Sequence, residues 1–401
     1  MVTKVIIIGG GISGLVFANL CKKYAIPYLI LEASTRLGGC IESVSAKHAN
    51  FFIELGAHSI YRSYNNTHQL LQGVNLSPIR RVVKFTSAQK LQSLMSTVSL
   101  ISLPAIATLP FKLKKMQGKT IANFLPTVLG QRFYDLVARP ALRALLCQSP
   151  DDYPLEMLTP ASAKNKNRAL PKISRPADGM EAIIRIIATD LSSKLNNKVI
   201  KLVKETNKYT VETANGEHYT ATHVVFACGA KGAYKLASQL IAEPNQKLEL
   251  DLESNFKSYG VFFAANCSDN KYQPNMQDQI IINRDQLSGI DANNLYWSML
   301  VWYATRELVG ATIHTPIALS SEQIQLILTK TVNIKNNQIV DIICKDNSMP
   351  KITYQNRLRF LKISSLLPNN IALIGNAVSK LSIESCIESA IDKFAKMFPW
   401  L

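Results

Sequence analysis

The sequence has little that could hold a metal or a disulfide framework. Its 401 residues include 7 Cys and 6 His. No two cysteines form a C-x-x-C, the count is odd, and none of His48, His58, His68, His218, His223 and His314 pairs at metal-ligand spacing. A zinc site and a disulfide scaffold are disfavoured, and a reducing compartment fits. Long apolar runs are also missing. Val5–Ile8 is too short for a signal peptide and passes straight into glycines, so none is expected. The most apolar later stretch, about Val98 to Phe111, is broken by Pro104 and Pro110 and falls short of the ~20 residues of a spanning helix. It ends at Lys112, Lys114 and Lys115. It reads either as a buried helix pair or as an apolar face with a basic edge that docks on a membrane. There is no G-x-S-x-G elbow and no Ser-His-Asp spacing, which disfavours a hydrolase. No internal repeat is present, which excludes solenoid and propeller arrays. Acidic residues are scarce: 28 Asp and Glu face 45 Lys and Arg, a net charge of +17. Such a charge draws anionic lipid or acidic ligands. The basic residues are dispersed and no reader motif accompanies them, so no nucleic-acid partner is expected.

What is present is a globular composition, 47% apolar and 18% charged, in a chain long enough for two domains. The opening predicts a buried strand (Val5–Ile8), a glycine turn, a helix from Ile12 to about Tyr24, and a second strand from Pro27 to Leu31. Helical patterns follow near Lys90–Leu103, Ile121–Leu129 and Gln131–Leu146. Ala161–Ala177 reads as a linker and Glu181–Leu195 as an amphipathic helix. Strands are expected at Lys198–Glu205, Lys208–Ala214 and His223–Ala227, with a hairpin turn at Asn215-Gly216. Further strands are expected at Tyr259–Ala265, Gln279–Asn283 and Ile371–Ile374. Helices are expected at Gln323–Leu328 and from Ile383 to Met397.

The first motif with chemistry is Gly9-Gly10-Gly11-Ile12-Ser13-Gly14, a G-x-G-x-x-G between a strand and a helix. Gly9 makes the turn, Gly11 lets backbone approach a pyrophosphate, and Gly14 lets helix pack on strand. The helix then offers free N–H groups and its positive dipole end. Glu32, followed by Ala33, ends the second strand, where a carboxylate accepts ribose hydroxyls and repels a 2′-phosphate. Thr35-Arg36-Leu37-Gly38-Gly39-Cys40 comes next and can bring further N–H groups and one cation to the same pyrophosphate. A typical NAD dehydrogenase needs no such second loop.

The run VIIIGGGISGL…LILEASTRLGGCIES closely resembles the FAD-binding opening of the flavin-dependent amine oxidase superfamily. The fold class this implies is α/β, a Rossmann-type FAD domain with an inserted α+β substrate domain. It also implies FAD as cofactor, with Glu32 on the adenosine ribose and Arg36, Gly38 and Gly39 along the pyrophosphate and flavin. Cys40 stands where that family often has Arg. Phe52-Ile53-Glu54-Leu55-Gly56-Ala57-His58-Ser59 looks like the strand and turn beside the flavin ring. Ala177-Asp178-Gly179-Met180-Glu181 looks like the turn re-entering the FAD domain. Val199, in Lys198–Val203, matches the place where backbone meets adenine, and Val224–Ala230 is similar to the next strand end. Ile371–Asn376 looks like the second phosphate and ribityl contact, through Gly375 and Asn376.

Two stretches resemble protoporphyrinogen oxidases within that superfamily: Lys119 to Arg143, and Met349-Pro350-Lys351-Ile352-Thr353-Tyr354 through Gly375-Asn376 to Ala390. Here Ser379, Lys380, Ser382 and Ala390 replace family glycines around Cys386, which matches a packing thiol of the noncovalent relatives. The resemblance implies an FAD part at 1–75, 176–235 and 346–401, a helical substrate part at 76–175 and a substrate sheet at 236–345. The expected reaction removes a hydride equivalent from a small molecule such as a porphyrinogen. An amine oxidase, a carotenoid-type desaturase and a noncatalytic flavin-binding protein stay open as alternatives. With no second G-x-G-x-x-G for NAD(P), oxygen or a quinone-like acceptor is the expected oxidant. Arg139 and Arg143 share a helix face and could meet a propionate, or could form a solvated face or an internal ion pair. His58 either tunes the flavin or serves the turn. Trp297, Trp302 and Tyr303 either line a cavity or belong to the core. The expected location is the cytoplasm, free or peripheral on the inner face of a membrane.

Overall fold

The structure is a computed structural model that describes residues 4–45, 52–87, 90–93, 118–158, 169–241, 251–264, 278–282, 298–303, 308–332 and 336–401. Its centre is a parallel sheet of five strands, in the order Ser193–Lys194, Tyr28–Leu31, Val5–Ile8, His223–Phe226, Ile371–Leu373. Val5–Ile8 is buried throughout because both faces are covered. Val5 and Ile7 pack into a core shared with the helices Ile12–Lys23, Glu181–Ile187 and Ile383–Met397. Ile6 and Ile8 pack on the opposite side, with Val211 of an antiparallel three-stranded sheet and Phe360 of the helix Tyr354–Leu366. Successive strand side chains point to opposite faces, so one tetrapeptide anchors both layers.

A seven-stranded sheet forms the second body, in the order Ile339–Pro350, Glu253–Ala264, Leu308–Thr315, Ser298–Tyr303, Asp278–Ile282, Arg81–Ser87, Lys90–Ser93. The helix Ser321–Val332 covers one face through Ile324, Ile327 and Leu328. A helical cluster contributes Val137 against Phe85 and Ile282. Part of the other face packs on the strand Phe52–Glu54: Thr312 Oγ1 donates to the Glu54 carbonyl at 2.8 Å, and Ile53 clusters with Phe262.

Several expectations are corrected. Lys90–Ser93 is a strand, not the start of a helix, and it pairs with Arg81–Ser87. Residues 94–103, with Pro104, Pro110 and the three lysines, lie outside the described residues. The linker around Ala177 contains the strand Ile173–Pro176, which pairs with both Ile60–Tyr61 and Leu76–Pro78. The helix from Glu181 stops at Ile187, and Ser193–Lys194 becomes the edge strand beside Tyr28–Leu31. The Gln131–Leu146 helix contains a π segment at Tyr134–Ala138 just before Pro140. The helices Gly229–Ala237 and Tyr354–Leu366 and the long polar strand Ile339–Pro350 were not anticipated. Among the described residues, no helix is long and apolar enough to cross a membrane.

Candidate flavin site

The two glycine loops meet. Gly38 N–H donates to the Gly10 carbonyl at 2.8 Å, and Gly11 and Gly38 form a parallel bridge. Gly9 has φ of +107°, and a Cβ there would strike the Ala227 carbonyl at 2.5 Å. A Cβ on Gly14 would lie 2.1 Å from the Gly9 carbonyl oxygen. These two glycines therefore serve the turn and the helix packing. Gly11 differs, since a Cβ there would meet nothing within 4 Å. Across from it, a Cβ on Gly39 would meet only the Gly11 Cα, at 3.3 Å. The bare backbones of Gly11 and Gly39 thus front open space at the start of the Ile12–Lys23 helix. That helix has no side-chain cap and no acid in its first turn, so its leading N–H groups remain to meet a phosphate.

The remaining expected residues gather around this cradle. Glu32 accepts the Gly10 N–H at 2.6 Å and the Ser34 N–H at 2.8 Å. Ser34 Oγ also donates to it at 2.8 Å, which leaves one of its roughly four lone-pair sites for a hydroxyl donor. Asn197 N–H donates to the Glu32 carbonyl, bringing the segment before Val199 to the same end of the sheet, and Ala33 continues the loop. On the other side, a Cβ on Gly375 would lie 3.0 Å from Ser13 Oγ. The Cys386 thiol lies 2.7 Å from Asn376 Oδ1, and burial pushes the thiol up to about 12. Cys386 is thus a buried, protonated packing group. Gly56 turns so close to the Cys40 carbonyl that any side chain there would collide, and Ala57 N–H donates to the same carbonyl at 3.4 Å. The bare glycine backbones, the open helix start and the Glu32 carboxylate fit the pyrophosphate and adenosine ribose of FAD.

Other candidate residues make contacts within the protein. Arg36 turns back onto its own loop, donating to the carbonyls of Leu37, Gly39 and Ile41 and pairing with Glu42 at 2.8 Å. These contacts hold the Gly38-Gly39 turn. The cation that reaches the turn from outside is Lys345, which donates to the Gly39 carbonyl at 3.2 Å and pairs with Glu42. Of the substituted glycines, Ser382 caps the Ile383–Met397 helix by accepting the Ser385 N–H at 3.0 Å. Ala390 is wholly buried in the core. Arg139 and Arg143 do share a helix, Arg139–Leu146, but Arg139 closes on Asp151 in a two-point contact at 3.0 and 2.5 Å. Trp302 and Tyr303 belong to the strand Ser298–Tyr303, and Trp297 lies outside the described residues.

Two clusters near the Gly56-Ala57 turn join residues from distant segments, and of their members only His58 lies in a sequence motif. In the first, Arg81 and Arg175 share Asp278, at 3.9 and 2.9 Å. The Arg81 side chain is 10% exposed, and its Nε and Nη2 have no hydrogen bond; its Nη1 reaches Ser59 Oγ at 3.4 Å. Burial lowers the Arg81 pKa and raises that of Asp278, whose carboxyl the two guanidiniums pull back down. In the second, His58 Nε2 lies 2.8 Å from His314 Nε2. Burial holds both imidazoles neutral: His314 falls to about 4, and His58 is lowered further by His314, Arg81 and Arg175. No cluster of metal-ligating side chains occurs among the described residues.

A nucleotide-binding parallel sheet joined to a large, mostly antiparallel sheet near a glycine turn defines a two-body flavoprotein of the Rossmann class. A model of the flavin containing amine oxidoreductases matches residues 12–307, and the chain belongs to that family. Its cofactor is FAD. An L-amino-acid oxidase of Siganus canaliculatus is 35% identical over 80 residues, 18% of this chain and 14% of that protein. A protein of Drosophila melanogaster named as a possible lysine-specific histone demethylase is 33% identical over 81 residues, 20% of this chain and 9% of that protein. These matches span a small fraction of either relative. The fold is similar over nearly whole chains to a provisionally named protoporphyrinogen oxidase of Exiguobacterium sp. 255-15, with TM-score 0.74, 15% identity and coverage of 100% and 99%. It is also similar to the cyclohexylamine oxidase of Brevibacterium oxydans, with TM-score 0.72, 14% identity and coverage of 99% and 100%. The conjugated-linoleic-acid-producing fatty acid isomerase of P. acnes gives TM-score 0.72, 14% identity and coverage of 99% of each chain.

Proposed function

We propose that the protein is an FAD-dependent oxidase or dehydrogenase of the protoporphyrinogen-oxidase type, acting on a substrate that carries carboxylates. The observation that carries this reading is the cationic cluster beside the flavin-side turn. Arg81 and Arg175 bring two positive charges to one carboxylate, Asp278, with side chains 10%, 17% and 6% exposed. Two buried guanidiniums side by side attract an anion and repel an ammonium group. Propionates fit this field, whereas a simple alkyl amine does not. FAD, when bound, would supply the acceptor for the hydride equivalent. The chain's own part is to orient the acid, exclude water and hold the flavin, with Glu32, Gly11 and Gly39 at the nucleotide end. A second reading, an L-amino-acid oxidase, is supported by the same cations, since its substrate carries a carboxylate beside the amine. The test is anaerobic mixing of FAD-loaded protein with protoporphyrinogen, its dimethyl ester, an L-amino acid panel, putrescine and cyclohexylamine. Protoporphyrinogen should bleach the oxidised flavin, and the ester should do so at least tenfold more slowly at low concentration. Bleaching by L-amino acids alone selects the second reading. Bleaching by the simple amines alone overturns the carboxylate argument, and bleaching by none points to a noncatalytic flavoprotein.

A further inference from the structure

The helix Tyr354–Leu366 is apolar on two opposite faces. The inner face is accounted for, since Phe360 and Ile363 belong to the core with Ile371, Leu373 and the three-stranded sheet. Successive helical residues are turned by about 100°, so Tyr354, Leu358, Leu361 and Leu366 fall on the opposite side. Each of them is between 37% and 52% exposed. Gln355, Lys362 and Ser365 share that side. A surface helix ordinarily turns polar side chains outward. A single exposed leucine needs no account, but an apolar stripe along about three turns marks a contact site.

Charge decides what covers the stripe. The helix has no Asp or Glu and carries Arg357, Arg359 and Lys362. By the same turn of about 100°, Arg357 stands at one margin of the stripe and Arg359 at the other, with Lys362 inside it. Arg359 donates to the neutral Asn356 Oδ1 at 3.0 Å. The helix Ile383–Met397 adds Lys393 on the Arg357 side, where its Nζ meets Ser364 Oγ at 3.2 Å. Burial lowers the Lys393 pKa, and the nearby Lys396 lowers it further. The acids of that helix, Glu384, Glu388 and Asp392, recur every four residues on a separate stripe and act on one another. At the first turn of Tyr354–Leu366 the charges are already paired: Arg357 reaches Glu156 at 3.8 Å, and Lys351 meets Asp251. A second copy packed here about a two-fold axis would set these cations against their own images. An anionic bilayer takes both parts at once, apolar stems below and cations at the level of the phosphates.

We propose that this stripe docks the protein on an anionic lipid bilayer, the helix lying along the headgroups with Leu358 and Leu361 turned into the acyl boundary. The net charge of +17 adds long-range attraction to such a surface, and the cations at the stripe set the orientation. The nucleotide-binding sheet then sits directly over the lipid, because the inner face of the same helix covers it. The docking is independent of the substrate named above.

The test is sedimentation of the full chain with vesicles of phosphatidylcholine, alone or mixed with phosphatidylglycerol. Affinity for the mixed vesicles should be at least tenfold higher, and should fall at least tenfold at high salt. Leu358→Gln combined with Leu361→Gln should lower it at least tenfold, with the melting temperature held because both positions are exposed. Arg359→Gln combined with Lys362→Gln should lower it at least tenfold as well. Arg185→Gln combined with Lys330→Gln removes the same charge from other helices and should change it by less than about threefold. Insertion has its own readout: Leu358→Trp should emit further to the blue on mixed vesicles and be quenched by lipid brominated in the upper acyl chain. Failure to bind mixed vesicles overturns the proposal, as does equal binding to phosphatidylcholine alone. Binding that neither stripe variant weakens also overturns it and places the lipid contact elsewhere on the chain. A lipid-free dimer in sedimentation velocity, abolished by the leucine pair, would give the stripe to a second copy instead. Should the leucine pair fail to fold, the Arg359 and Lys362 pair and the Trp probe still decide.

Discussion

Two glycines in one loop serve different ends, and a single methyl group separates them. At Gly14 a Cβ would sit 2.1 Å from the Gly9 carbonyl oxygen, so Gly14→Ala must push the helix off the strand. At Gly11 a Cβ meets no protein atom within 4 Å, so Gly11→Ala should leave the apoprotein intact and fill only the space for phosphate. The prediction is that Gly11→Ala keeps the apoprotein melting temperature within about 1 °C while FAD affinity falls at least tenfold, about 1.4 kcal/mol. Gly14→Ala should lower the melting temperature of the apoprotein itself by several degrees, a cost of roughly 1–3 kcal/mol. Calorimetry with and without FAD checks both. Equal behaviour of the two variants would show that the cradle at Gly11 is not where the pyrophosphate lies.

At the scale of elements, the Ile383–Met397 helix is tied to its neighbour by one carboxylate. Glu384, 2% exposed, accepts the Asn66 and Thr67 N–H groups at 2.9 and 3.0 Å, Asn66 Nδ2 at 3.0 Å and Thr67 Oγ1 at 2.8 Å. These four donors stand at the start of the short helix Asn65–Leu70. Glu384→Ala strands them in the interior and should cost roughly 3 kcal/mol, with Glu384→Gln milder because one oxygen still accepts. Denaturant unfolding of the apoprotein measures this, and a loss below about 1 kcal/mol would mean that water replaces the carboxylate. The helix itself was legible, since its apolar residues recur at helical spacing and Ser382 caps it. Glu384 was not, because its partners lie more than three hundred residues earlier. The strand Ile339–Pro350 was hidden for another reason: much of it is exposed and polar, so hydropathy alternation is weak, and its identity comes from pairing with Glu253–Ala264. The run from Glu181 misled because its apolar residues continue past Ile187 into a loop and an edge strand that the parallel sheet recruits. The meeting of the two glycine loops with Glu32 follows local motifs in the chain. The flanking Arg81, Arg175, Asp278 and His314 follow none, since only the tertiary fold brings them together.

In the whole molecule, the seven-stranded sheet packs on Phe52–Glu54, and the Gly56-Ala57 turn follows that strand directly. Gly260 makes this approach possible. A Cβ there would lie 2.6 Å from Ile53 Cδ1 and 2.9 Å from Leu55 Cδ2. Both are side-chain ends, so Gly260→Ala can be absorbed by small shifts. The branched side chain of Gly260→Val cannot, and it should lever the sheet away from Phe52–Glu54. Two links would then stretch, Thr312 Oγ1 to the Glu54 carbonyl at 2.8 Å and Asn347 Nδ2 to the Leu55 carbonyl at 2.9 Å. The nucleotide cradle draws on the parallel sheet and its helices, so it should survive. The expected result is therefore uneven: FAD affinity reduced no more than about tenfold, stability lowered by roughly 1–3 kcal/mol, and flavin reduction by the true substrate slowed at least a hundredfold. Flavin titration, thermal unfolding and anaerobic stopped-flow on one preparation separate these effects. Equal loss of FAD binding and of reduction rate would show that the sheet supports the cofactor itself. Unchanged reduction would show that the packing of the two bodies does not set the geometry of hydride transfer.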